Sequence, residues 1–156
     1  MKRGAVSSAT STTGHSTGWS WLGMELGRLV DRAESGGDPE LASARAPNAD
    51  STPMPVHLRL GVPGPCSAEA EATGYFVVSE ALTNAARHSN ATQVTVRVSR
   101  TKSHLRLDVS DDGCGGAVLR GGLQGLADRV ASLGGVLTLD SPTGRGTRLT
   151  VELPCR

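Results

Sequence analysis

The sequence predicts an α+β two-layer sandwich. Alternating apolar and polar residues mark short strands that follow one another closely. Helical stretches fall between groups of strands rather than after every strand. A chain of 156 residues is enough for one domain of ordinary size. Aromatic residues make up only 3%, so the core must be built from Val, Leu and Ala.

Residues 1–52 differ from the remainder. Ser7 to Gly18 is rich in Ser, Thr and Gly and has almost nothing to bury. Trp19, Trp21, Leu22, Leu26, Leu29 and Val30 have the spacing of one short amphipathic helix, which Gly23 and Gly27 weaken. Ser35 to Pro39 and Ala46 to Pro55 have linker composition. The expectation for 1–52 is a low-complexity, disordered arm or linker. A short helix docking on a partner or a second copy is the alternative. Residues 53–156 form the expected folded domain.

Within that domain, Val56, Leu58 and Leu60 alternate with His57 and Arg59 as a half-buried strand. Gly61 to Pro65 is a turn. Ser67 is placed to cap a long helix, and Glu69 and Glu71 suit its positive end. The helix runs to about His88, and Ser89-Asn90-Ala91 is its exit. Val94, Val96 and Val98 then alternate with polar residues, as do Leu105, Leu107 and Val109. With Lys102-Ser103 as the turn, these two strands form an antiparallel pair with one buried face. Leu123, Leu126, Val130 and Leu133 make the stripe of a second helix, which Gly134-Gly135 ends. Val136 to Leu139 is a strand. Ser141 to Thr147 is a turn, and Leu149, Val151 and Leu153 mark the last strand.

Composition excludes several function classes. The formal net charge is +1, with no long run of Lys or Arg, which argues against nucleic acid or an anionic membrane as main partner. No apolar run approaches the length of a bilayer span, and Met1-Lys-Arg is not followed by a secretory core. Cys66, Cys114 and Cys155 are odd in number and show no paired spacing. Neither a disulfide framework nor a zinc site follows, and a reducing cytoplasm is the expected compartment.

The informative stretch runs from Tyr75 to His88. Glu80, Asn84 and His88 are each four apart and stack along one stripe of a largely apolar helix. Polar groups at the edge of a buried face must be satisfied. One reading is a plain solvent-facing edge. The other is a site where Asn84 ligates a hard cation through oxygen and Glu80 handles a water or a proton. Further along, Asp111-Asp112-Gly113-Cys114-Gly115-Gly116 ends a strand, where glycine permits close backbone approach to a ligand. Gly121-Gly122-Leu123-Gln124-Gly125-Leu126 opens the second helix, where amides can meet a phosphate.

Four pieces thus stand in fixed order: Glu80-x-x-x-Asn84, Asp111-x-Gly113-x-Gly115, Gly122-Leu123-x-Gly125-Leu126, and Gly144-x-Gly146-Thr147. In this order they resemble the N, G1, G2 and G3 boxes of the Bergerat, or GHKL, ATP-binding fold. They look most like the catalytic domain of bacterial sensor histidine kinases paired with LuxR/NarL-type response regulators. The resemblance covers about Pro53 to Pro154. It implies a mixed, mostly antiparallel sheet with helices on one face, and Mg²⁺ and ATP as cofactors. It implies that Asp111 accepts a hydrogen bond from the adenine amino group and that Gly113 and Gly115 let the backbone pass the base and ribose. Asn84 would hold Mg²⁺, and Glu80, as catalytic residue, would orient a water or assist proton removal. Gly122, Leu123, Gly125 and Leu126 would shape a lid over the phosphates. Gly146 and Thr147 would line the adenine end, and Arg87 and His88 would stand near the phosphates.

The resemblance also implies partners: a phosphoacceptor histidine on a separate helical hairpin, in cis or in trans, and a LuxR/NarL-type regulator. No such hairpin is legible in residues 1–50, so the domain alone is expected to be a monomer without self-sufficient kinase activity. The lid between Gly116 and Gly122 is brief for the family. Two other functions compete: a serine kinase and anti-sigma factor on the same fold, and a non-catalytic nucleotide-binding interaction module.

Overall fold

The computed structural model describes residues 21–35, 55–61, 64, 66–88 and 90–155, with the backbone alone for 33–35 and 88. Five strands form one sheet: β1 (Val56–Leu60), β2 (Val94–Arg100), β3 (His104–Asp111), β4 (Val136–Asp140) and β5 (Thr147–Pro154). Their order is β1-β2-β3-β5-β4. β1 runs parallel to β2, and the other pairings are antiparallel. Helices α1 (Trp21–Ser35), α2 (Ala68–His88) and α3 (Gly122–Ser132) make the second layer. The expected α+β two-layer sandwich is the observed fold.

The strand alternation explains the layering. Val94, Val96 and Val98 of β2, Leu105, Leu107 and Val109 of β3, and Leu149, Val151 and Leu153 of β5 are all buried on one face. They meet Val77, Val78, Leu82 and Ala85 of α2 in a single core. The opposite face is polar. There Arg148 donates to the Asp108 carboxylate from Nε at 3.0 Å, and Arg106 reaches Glu152 across the β3–β5 register at 2.6 Å.

Helices α2 and α3 each have an end that the sequence specifies. The Ser67 hydroxyl accepts the Ala70 N–H at 3.3 Å, and the Glu71 carboxylate accepts the Cys66 N–H at 3.0 Å. The first satisfies an amide that the first turn of α2 leaves unpaired, and the second ties the residue before the cap to that turn. α3 ends in a Schellman motif: Gly135 N–H bonds the Val130 carbonyl, Gly134 N–H bonds that of Ala131, and Gly134 has φ +77°.

Two expectations are revised. The stretch from Trp21 to Ser35, expected to lie in a disordered arm, is helix α1, and it packs on α2 and β1 rather than on an external partner. Leu22, Leu26, Leu29 and Val30 are fully buried, and at about 2 kcal/mol per buried aliphatic side chain this outweighs the propensity cost of two glycines. Nothing lies within 4 Å of where a Gly27 side chain would stand, so that glycine is not required by packing. The remaining residues before 55 lie outside the described ones. The second revision concerns cysteine. Cys66 and Cys155 form a disulfide, with Cα atoms 4.9 Å apart. The reading that no disulfide follows missed it because the topology, not the spacing, brings the exit of β5 beside the start of α2. Among the described residues no helix is long and apolar enough to cross a membrane.

Candidate functional site

α2 ends, and β3 ends, at the same pole of the sandwich. Between them lies a cleft of about 460 Å³. Its lining includes Glu80, Asn84 and Arg87 from α2, Asp111 from β3, Thr147 and Leu149 from β5, and Gly122 and Leu123 from α3. Gly115 to Val118 and Arg120 complete one wall. The four motifs, far apart in sequence, therefore converge on one cavity. Glu80 and Asn84 lie four residues apart on α2 and face it together.

The acid pair divides its work. Alternation along β3 puts Asp111 on the inner face with Leu107 and Val109, and Asp112 outside it. Asp111 Oδ1 accepts the Gly113 N–H at 2.8 Å, and its strand partner is Thr147. Burial raises the Asp111 pKa, against the lowering effect of the Gly113 and Thr147 amides, and the neighbouring Asp112 charge raises it further. Asp112 instead accepts the amides of Thr92 at 2.8 Å and Gln93 at 3.1 Å, and the Thr92 hydroxyl. Burial pushes its pKa up, but these donors prevail and the net shift is downward. It ties the end of β3 to the entry of β2.

Glycine is needed where the backbone crowds Asp111. Gly146 has φ +73°, and a Cβ there would stand 2.1 Å from the Asp111 carbonyl oxygen. Gly115 has φ +68° and would place a Cβ 2.1 Å from the Pro142 carbonyl oxygen. The loop is stitched to the β4–β5 turn by Gly116 N–H to the Ser141 carbonyl at 2.8 Å and Gly144 N–H to the Cys114 carbonyl at 2.6 Å. The Ser141 hydroxyl accepts the Ala117 N–H at 2.9 Å and pairs with Thr147 Oγ1 at 2.7 Å.

Of the residues singled out in the sequence, Glu80, Asn84, Arg87, Asp111, Gly115, Gly122, Leu123 and Thr147 line the cleft. Gly113 and Gly146 act one step back, through their contacts with Asp111. Gly125 and Leu126 do not line it: Gly125 is bonded to Gly121 within the first turn of α3, and Leu126 is buried in the core. The His88 side chain lies outside the described residues. Sequence reasoning missed Ser141 and Arg120. Arg120 had a signal, being a cation directly before the glycine pair; Ser141 had none.

The chemistry of the cleft is that of an anion beside hard oxygen donors. Arg87 and Arg120 supply positive charge. Glu80 and Asn84 supply oxygens that suit Mg²⁺, which takes few protein ligands and shares its shell with water and phosphate. Among the described residues no cluster of three His, Cys, Asp or Glu side chains forms a closed metal cage.

Residues 71–156 match the family described as histidine kinase-, DNA gyrase B-, and HSP90-like ATPase. The chain is 35% identical over 141 residues to the signal transduction histidine-protein kinase/phosphatase UhpB of Salmonella typhimurium, covering 84% of this chain and 27% of that protein. It is 44% identical over 91 residues to the sensor histidine kinase NarS of Mycobacterium tuberculosis, covering 53% of this chain and 21% of that one. It thus spans less than a third of either relative. Among solved structures, the ATP-binding domain of PrrB from Mycobacterium tuberculosis superposes with a TM-score of 0.53 at 26% identity, over 84% of this chain and 94% of that one. The match extends over more than half of the chain, from within α2 to its last residue, and includes every residue that lines the cleft: the protein belongs to the histidine kinase-, DNA gyrase B- and HSP90-like ATPase family.

Proposed function

We propose that this chain is the ATP-binding catalytic domain of a sensor histidine kinase, acting in the cytoplasm. The observation that supports it most is that Asn84 and Asp111, from elements far apart in sequence, line opposite sides of one cleft. In this reading Asp111 accepts the adenine amino group, which selects adenine over guanine. Thr147 and Gly115 bound the base. Arg87 and Arg120 face the phosphates, where charge neutralisation does most of the catalysis. A Mg²⁺ ion held by Asn84 supplies further neutralisation of that charge. Glu80 orients a water or takes a proton from the acceptor.

The acceptor is a histidine on a helical hairpin, in cis or in trans. Its imidazole nitrogen forms the new bond to the γ-phosphorus as the bond to the β–γ bridging oxygen breaks and ADP leaves. A response regulator of the LuxR/NarL type is the downstream partner. Calorimetric titration with Mg-ATP and Mg-GTP tests the reading, with Asn84→Ala as the control. ATP should bind and GTP should not, and the variant should lose the Mg²⁺-dependent part of the affinity. Equal binding of both nucleotides, or unchanged Mg²⁺ dependence, would overturn it.

A further inference from the structure

We propose that the Cys66–Cys155 disulfide is a reversible clamp, which sets the stability of the domain while leaving nucleotide binding untouched. The geometry of α2 and β5 points to this. α2 starts one residue after the Ser67 cap, next to Cys66, and delivers Asn84 to the cleft more than four turns later. β5 runs the other way, from Thr147 in the cleft to Pro154, next to Cys155. The two elements are thus joined covalently at one pole, and they meet the candidate ligand at the other.

The clamp holds more than its two cysteines. The Cys66 N–H donates to Glu71 within the cap of α2, and the Cys155 N–H donates to the Ser103 carbonyl in the β2–β3 turn at 2.7 Å. Four elements meet there, and the bond closes a loop of 89 residues that includes every residue lining the cleft. A cross-link over so long a loop restricts the unfolded chain strongly. Breaking it releases the first turn of α2, whereas Glu80, Asn84 and Arg87 stay anchored by Val77, Val78, Leu82 and Ala85 in the core.

Both cysteines are only partly buried, and their chain neighbours Ser67 and Pro154 line a groove together with Glu69, Leu133 and Gly134. A small dithiol can attack one sulfur as thiolate, form the mixed disulfide, and then close on itself. The protein gains two thiols as the dithiol becomes a disulfide, a two-electron exchange. In a reducing compartment such bonds form conditionally rather than permanently.

The test uses the full chain, with dithiothreitol as reductant. Alkylation followed by mass measurement should find one reactive cysteine, Cys114, before reduction and three after it. Reduction should lower the wild-type Tm by roughly 10 °C or more. The Cys66→Ser/Cys155→Ser variant should melt at the reduced value and ignore the reductant, while Cys114→Ser should respond as wild type does. The Kd for Mg-ATP should agree within about twofold between oxidised and reduced protein. Three reactive cysteines after mild oxidation, or a reductant-insensitive wild-type Tm, would overturn the clamp. A tenfold change in Kd would overturn its independence from the cleft. Absence of ATP binding in both redox states would overturn the functional reading alone, since the melting and alkylation results still judge the clamp.

Discussion

The carboxylate of Glu80 lies against the α-carbon of Gly122, so closely that a Cβ there would stand 2.2 Å from Oε1 and 2.7 Å from Cδ. The obstacle is the far end of a flexible side chain. Gly122 has no positive φ, and it opens α3. Gly122→Ala should therefore leave stability unchanged or raise it by up to about 1 kcal/mol. The same change drives the Glu80 carboxylate off its position. We expect phosphoryl transfer to an acceptor hairpin to fall about 100-fold, with Mg-ATP affinity held within a few fold. Adding Glu80→Asp, whose shorter side chain clears the new methyl group, should recover part of the loss. A variant with full transfer activity would show that Glu80 need not sit where it does.

Asp111 makes nucleotide binding pH-dependent. Burial is the main cause of its raised pKa, so folding disfavours its ionised form relative to the unfolded chain. The ionised form costs the fold stability above that pKa, and the cost shrinks as pH falls through it and is gone below the ordinary aspartate range. Binding responds in the opposite sense, because the adenine amino group needs an acceptor. Affinity for Mg-ATP should fall on acidification, with an onset above the range of an ordinary aspartate. Asp111→Asn should flatten that profile and weaken ATP binding by about 10-fold or more. Titrations at a series of pH values check both, and parallel profiles for the two proteins would contradict the assignment.

Gly146 is confined by backbone on every approach that matters. Alanine there would meet the Asp111 carbonyl oxygen, which cannot rotate away, and φ is +73°. We expect Gly146→Ala to destabilise by about 2–4 kcal/mol in urea unfolding. Gly144 is the internal control. It has φ +82° but open space around it, so alanine should cost only about 1 kcal/mol.

Helix α1 should behave as part of the core. Leu26 is fully buried, whereas Met24 on the same helix is 57% exposed. Leu26→Ala is expected to cost about 2–5 kcal/mol, and Met24→Ala less than about 0.5 kcal/mol. Equal unfolding midpoints for the two variants would show that α1 does not share in the domain's stability.

Local rules made most of this fold legible. Period-two alternation located β2, β3 and β5 and their inner faces, and the Ser67 cap and the Gly134-Gly135 stop located the helix ends. The cleft was legible because each motif requires a backbone or a side-chain stripe that few sequences offer. Pairing was not legible. Nothing in β5 says that it inserts between β3 and β4, and nothing in β1 says that it joins in parallel. Helix α1 was obscured because propensity counted Gly23 and Gly27 against it while its benefit came from distant partners. The roles of Asp111 and Asp112 were readable in principle, since strand parity alone separates them.

The parallel edge made by β1 has a consequence for biosynthesis. Its partner β2 follows only after the whole of α2, whereas β2 meets β3 across a three-residue turn. A ribosome therefore delivers β1 long before the strand that takes its backbone hydrogen bonds exists, and only α1, already made, can pack on it. Its unpaired edge stays open on the nascent chain until β2 follows, and a holdase chaperone has that interval in which to bind it.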